Sequence, residues 1–164
     1  MNQIHVAIGA VVVSVDQETE LNTFVGSCVA LCLYDPYAKI GGMSHIMLPK
    51  NGIGKSNHNE SGKYADQAIE ITIKMMIEKG ADAKRIKASI AGGAKIFSTE
   101  SGESIFNVGE KNTASIKEIL REKRIPLISS HVGMTYGRWV KLDINTGKMT
   151  VSNNKHAEEL VCEL

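Results

Sequence analysis

Long hydrophobic runs are missing from this sequence. The longest apolar stretches, residues 11–13 and 29–33, fall far short of the roughly 20 residues that a membrane-spanning helix needs. An excess of one charge is missing too: 19 basic and 18 acidic side chains leave a net charge of +1, with no basic stripe. That removes the electrostatic footprint of a nucleic-acid partner or an anionic membrane surface. The opening residues, Met1-Asn2-Gln3-Ile4-His5, lack the charged start and apolar core of a secretory signal. Export and membrane insertion are therefore not expected, and the chain reads as cytoplasmic. Cysteine is sparse: Cys28, Cys32 and Cys162 are the three. An odd number fits a disulfide framework poorly, and thiols inside a cell stay reduced. They are better read as core side chains, catalytic groups or metal ligands.

What is present suits one folded domain over residues 1–164. Apolar residues make up 43% and charged residues 23%, which argues against disorder, a coiled coil or collagen. Residues 4–15 are rich in Val and Ile and read as a strand, or a strand pair bent at Gly9. Residues 21–25 form a short strand that stops at Gly26-Ser27. Residues 29–34 are continuously apolar, as expected of a strand buried on both faces, and Asp35-Pro36 turns the chain into a further strand over 39–48. Residues 50–62 are polar and Gly-bearing and read as an exposed mobile loop. A helix is predicted over 63–79, where Ala65, Ala68, Ile69, Thr72 and Met76 recur at three- and four-residue steps before Gly80. A strand over 85–91 leads into the Gly92-Gly93-Ala94 turn. A second helix over 108–123 has Ile116, Ile119 and Leu120 as its stripe, with Asn107 and Glu110 placed like a capping box. Strands over 127–132, 138–145 and 148–152 follow, the last two joined by the hairpin signal Asn145-Thr146-Gly147. The expected class is α+β: eight or nine strands, mostly antiparallel, and two main helices.

The chemistry concentrates around Cys28. It follows Gly26-Ser27 at a bend between two extended runs, where a thiol can be presented beside a backbone N–H able to hold an oxyanion. His45 lies seventeen residues later on the adjacent strand. If that strand pair turns about a centre near residue 36.5, position 28 falls opposite position 45. A thiolate stabilised by the imidazole could then attack a carboxamide carbon, with His45 passing a proton to the departing ammonia. A third group should fix the imidazole's tautomer, and Thr23 is the nearest polar residue upstream. Spacing alone leaves the plainer reading open, since cysteine is among the most often buried residues. Cys32, inside an apolar run, reads as a core residue, and Cys162 as structural or incidental. Cys28, Cys32 and His45, with His5 or His131, would make an irregular zinc set whose strand spacing parts the sulfurs, so no metal is expected. Gly92-Gly93-Ala94 reads as a structural turn rather than a phosphate cradle, and His58 as a solvated loop residue.

An ordered set of short segments adds to this reading. Gly26-Ser27-Cys28-Val29-Ala30, Tyr34-Asp35-Pro36, Gly41-Gly42-Met43-Ser44-His45 and Met47-Leu48-Pro49 are followed by Gly62-Lys63-Tyr64-Ala65-Asp66. Ala91-Gly92-Gly93-Ala94 and Asn107-Val108-Gly109 with Asn112 complete it. Together they resemble the CheD family of chemoreceptor glutamine deamidases over nearly the full chain. The resemblance implies a layered α/β/β sandwich similar to bacterial toxin deamidases, carrying a Cys–His–Thr thiol hydrolase site without cofactor or metal. Carried over by motif, Cys28 is the nucleophile, His45 the general base and acid, and Thr23 the third member. Ser27 either supports the site or simply fits the bend. The implied substrates are specific glutamines of methyl-accepting chemotaxis receptors, and some members of the family also hydrolyse glutamate methyl esters. A CheC-type phosphatase is the implied partner, with Phe97 and Phe106 as candidate exposed anchors or, more simply, caps on the core. Two rivals stand beside this: a binding module that regulates such a phosphatase with little catalysis, and an acyl-transferring thiol enzyme that accepts an amine in place of water.

Overall fold

The continuous apolar run is the spine of the molecule. In a computed structural model that describes residues 1–51, 61–96 and 107–164, it forms β4 (Val29–Asp35), buried at every position. His58, Phe97 and Phe106 lie outside the described residues, as does most of the polar stretch after Lys50. Side chains alternate across a strand, and here both sides are apolar. Val29, Leu31 and Leu33 enter one core, while Ala30, Cys32 and Tyr34 enter another.

Around β4 a five-stranded sheet is built. β5 (Ile40–Ile46) and β6 (Lys87–Gly92) flank it antiparallel, with β2 (Val11–Ser14) outside β5 and β7 (Leu127–Val132) parallel to β6 at the other edge. The second sheet runs β1 (Asn2–His5), β3 (Thr19–Val25), β8 (Arg138–Asp143), β9 (Lys148–Ser152), β10 (Glu159–Glu163), with β1 parallel to β3. Helices α1 (Ala65–Glu78) and α2 (Val108–Glu122) cover one face of the first sheet. Ala65, Ala68, Ile69 and Met76 of α1 and Ile116, Ile119 and Leu120 of α2 share the first core with β4. The other face meets the second sheet through Leu21, Val25, Met43, Val140, Leu142, Met149 and Val151. Helices, sheet and sheet form the expected α/β/β layers.

Two glycines make the middle layer thin enough. A Cβ on Gly41 would sit 2.6 Å from Ile144 Cδ1, and one on Gly42 would sit 2.7 Å from Thr72 Cγ2. The second sheet therefore closes on β5 from one side and α1 from the other. The β4–β5 turn is fixed by the buried Asp35 carboxylate. It accepts the backbone N–H groups of Tyr37, Ala38 and Asp82 and pairs with Arg85 at 2.9 Å. Burial alone would raise the Asp35 pKa, but these donors outweigh it and hold the group down at about 2.

Of the two readings of residues 4–15 the strand pair holds: the bend at Gly9, where φ is +76°, sends β1 and β2 into different sheets. The structure departs from the sequence reading in three places. β10 is an additional, tenth strand, a short edge segment with a bulge between Leu160 and Cys162. Asn107 makes no side-chain cap on α2. Its backbone (φ −91°, ψ 32°) is not in the extended conformation from which a cap reaches back. Finally, β4 and β5 pair about a centre one residue later than expected, so Ala30, not Cys28, lies opposite His45. The turn holds four residues, 36–39, the last with φ +54°.

Candidate active site

The two-residue period of the strands decides which side chains meet. On β3, Leu21 and Val25 point between the sheets, and Thr23 between them shares that face and is fully buried. On β5, Met43 points to the same seam, so His45 two residues on does as well, 2% exposed. Thr23 Oγ1 and His45 Nδ1 meet across the seam at 2.8 Å. The hydroxyl comes from one sheet and the imidazole from the other.

The tautomer follows from proton counting. A threonine hydroxyl has a single proton, and Thr23 donates it to the Val6 carbonyl at 2.7 Å. Toward the ring it is then an acceptor, so Nδ1 carries the imidazole proton and Nε2 is bare. Burial, with the nearby His5 adding to it, pushes the His45 pKa down to about 4, against a smaller opposing pull from the Val6 carbonyl. The ring is neutral at neutral pH and offers a basic nitrogen.

Cys28 stands just before β4, half-buried against the inter-sheet core, on the face shared by Ala30. Since Ala30 is the residue opposite His45, Cys28 is a diagonal neighbour of the imidazole on the same face. No hydrogen bond joins Cys28 to His45 among the described residues, and burial pushes the thiol's pKa up. At rest both groups are therefore neutral.

The backbone around the thiol is held from behind. Gly93 N–H donates to the Cys28 carbonyl at 2.8 Å and Ala94 N–H to the Gly26 carbonyl at 2.9 Å. Gly92 has φ +119°, and a Cβ there would lie 2.3 Å from the Cys28 carbonyl oxygen, so no larger residue fits. From α2, the buried Asn112 side chain donates through Nδ2 to the Ser27 carbonyl at 3.2 Å and the Met47 carbonyl at 2.9 Å. Ser27, half-exposed, thus takes part in the described contacts through its carbonyl.

The structure brings Thr23, His45 and the Cys28 loop together. Cys32 sits fully buried in the inter-sheet core, with its thiol driven well above the ordinary range by burial. His131 lies apart, on β7, its Nδ1 held by Arg138 Nη1 at 2.9 Å. Among the described residues no group of three or more His, Cys, Asp or Glu could hold a metal. No helix among them is long and apolar enough to cross a membrane. The sequence reading missed the Val6 carbonyl and the Asn112 bridge. A backbone carbonyl leaves no sequence signal, whereas Asn112, a turn before Ile116 on the buried stripe of α2, was visible as a polar residue in an apolar row.

Fold and site together define an α/β/β sandwich with a thiol, an imidazole and a hydroxyl gathered at its inter-sheet seam. A family model described as CheD chemotactic sensory transduction matches residues 47–153. The chain is 40% identical to the "Probable chemoreceptor glutamine deamidase CheD" of Syntrophomonas wolfei, covering 84% of each chain. It is 40% identical to the protein of that name from Archaeoglobus fulgidus, over 82% of this chain and 83% of that one. To the "Chemoreceptor glutamine deamidase CheD" of Thermotoga maritima it is 38% identical, over 83% and 82%. The chain belongs to the CheD family. The family model's match begins beyond His45, so it bears on the body of the domain and not on Thr23, Cys28 or His45.

Proposed function

We propose that this protein is a glutamine deamidase acting on chemotaxis receptors through a thioester on Cys28. Its relatives' names carry the activity and the receptor substrate. The observation that carries the chemistry is the Thr23–His45 hydrogen bond, which leaves a bare Nε2 on the face shared with a half-buried thiol.

A neutral thiol beside a neutral imidazole implies that proton transfer accompanies attack. Cys28 gives its S–H proton to His45 Nε2 as the sulfur bonds to the carboxamide carbon. The developing oxyanion has a donor at hand, for among the described residues no carbonyl accepts the backbone N–H of Cys28. Collapse breaks the C–N bond, and His45 delivers the proton to the leaving ammonia. Nε2 then takes a proton from water as its oxygen attacks the thioester. The C–S bond breaks, the thiolate recovers the proton, and glutamate is released. A glutamate methyl ester would follow the same path with methanol leaving. Thr23 holds the ring and disperses the charge on the transient imidazolium. The protein works in the cytoplasm, where receptor signalling helices are reached, with a CheC-type phosphatase as partner.

The test is a purified receptor cytoplasmic fragment incubated with wild type or Cys28→Ala. The glutamine peptides should gain about one dalton each with wild type and nothing with the variant, the mark of replacing NH₂ by OH through a nucleophile. If both proteins leave the receptor unchanged while binding a CheC-type phosphatase, the regulatory binding-module reading replaces this one.

A further inference from the structure

We propose that Asn112 is a positioning residue for deamidation: its amide ties the Cys28 loop to the strand end that carries His45 and so sets how thiol and imidazole meet. The inference rests on the Cys28–His45 reading above. Its basis is geometric. Nδ2 donates to the carbonyl of Ser27, the residue before the thiol, and to the carbonyl of Met47, two residues beyond the imidazole. Both protons of one amide are spent joining the two chain segments that must be brought into register. Exchanging oxygen and nitrogen would set the oxygen against two carbonyl oxygens, so the orientation is unambiguous.

Three further observations separate this residue from ordinary core polarity. Asn112 is fully buried, and its Oδ1 has no hydrogen-bond partner. A buried acceptor left unpaired calls for an explanation, and the fork made by Nδ2 supplies one. Second, α2 is seated on the turn that holds the Cys28 carbonyl. A Cβ on Gly109 would lie 2.6 Å from the Gly93 carbonyl, so the helix that carries Asn112 packs backbone to backbone against Gly93. Third, at rest Cys28 and His45 share no hydrogen bond and lie diagonally across the strand pair. The β4–β5 ladder ends at Val29–Ile46, and just beyond it the amide joins the residue before the thiol to the segment after the imidazole. Small errors there are costly, since a displacement of about 1 Å at reacting atoms can cost on the order of 100-fold in rate.

The experiment uses the full chain with Asn112→Ala and the near-isosteric Asn112→Asp, which replaces the donors by oxygen. Each is checked for folding by circular dichroism, so that one folded variant suffices. Two readings are taken: kcat and KM on the receptor fragment, and the rate of Cys28 alkylation by iodoacetamide, followed on the Cys28 peptide by mass spectrometry. The expected result is kcat lower by at least about 10-fold with KM within about 2-fold, and slower alkylation. The decisive comparison repeats the alkylation in a His45→Ala background. If Asn112 acts by aligning the two groups, removing it there adds no further loss, whereas a merely structural effect adds equally in both backgrounds. An unchanged kcat, or an equal loss with and without His45, overturns the positioning role while leaving the thiol reading intact. Full activity of Cys28→Ala, run alongside, overturns the thiol reading and this inference with it.

Discussion

Replacing Thr23 by valine removes one hydroxyl and little volume, and the structure says what that hydroxyl does. It accepts the His45 Nδ1 proton at 2.8 Å and donates to the Val6 carbonyl at 2.7 Å, at a site with no solvent exposure. In Thr23→Val the ring nitrogen and the carbonyl both lose this partner. Each buried polar group left unpaired costs about 1–3 kcal/mol, so a destabilisation on the order of 3 kcal/mol is expected. The catalytic loss should be of similar size. Without its anchor the ring can rotate or shift its proton to Nε2, the nitrogen that must be bare, and kcat should fall by about 100-fold. Thr23→Ser keeps the oxygen and loses a methyl group, at about 1 kcal/mol, and should retain kcat within a few fold. Urea denaturation gives the stabilities, receptor-fragment mass spectrometry the rates, and nitrogen-15 NMR of the imidazole its tautomer. A valine variant that keeps wild-type kcat and still shows the proton on Nδ1 would refute the reasoning, because both consequences follow from the same hydrogen bond.

Three further outcomes are expected. The acid limb of kcat/KM should lie near pH 4, the depressed pKa of His45, rather than near the ordinary value of about 6.5. Stability should track the same group. Between about pH 6.5 and 4 the unfolded chain binds a proton that the folded one refuses, so stability falls as pH falls through this window, by on the order of 3 kcal/mol, then levels. Urea melts of wild type and His45→Gln across that range check it, and parallel slopes in the two proteins would count against it. Gly92→Ala should be severe, because its Cβ would meet the Cys28 carbonyl oxygen at 2.3 Å on a residue with φ +119°. Gly133→Ala, with φ +85° and nothing within 4 Å, should cost only the backbone strain of about 1–2 kcal/mol. Melting temperatures and kcat of the pair measure the difference, and equal effects would mean that the Gly92 contact relaxes freely.

The layers of the fold were legible because burial writes itself as period. The apolar run of β4, the three- and four-residue steps of α1 and α2, and the turn at Gly92-Gly93 lie where the sequence put them. Register was not legible, for it depends on how many residues the β4–β5 turn consumes. Asp35 binds the backbone of Tyr37 and Ala38 within the turn and also reaches Asp82 and Arg85, 47 and 50 residues away, and no local pattern announces those last two bonds. β10 escaped because it is a short edge strand whose residues stay largely exposed, leaving no face to alternate. At the site, Thr23 was readable as the polar residue upstream of Cys28, and its partner His45 as the imidazole on the adjacent strand. What fastens them was not: the Val6 carbonyl is backbone, and Asn112 acts from a helix more than sixty residues away in sequence.

The seam that carries His45 on one side and Thr23 on the other has a consequence for when chemistry becomes possible. Either sheet could complete its own ladder with the imidazole unanchored, since the 2.8 Å contact belongs to neither. A slip of one sheet past the other by a single residue, about 3.3 Å, would part the pair without breaking a strand-to-strand bond. The oriented imidazole is thereby tied to the docking of one sheet on the other. On the proposed mechanism, a chain whose sheets have not met carries the thiol but lacks an oriented base.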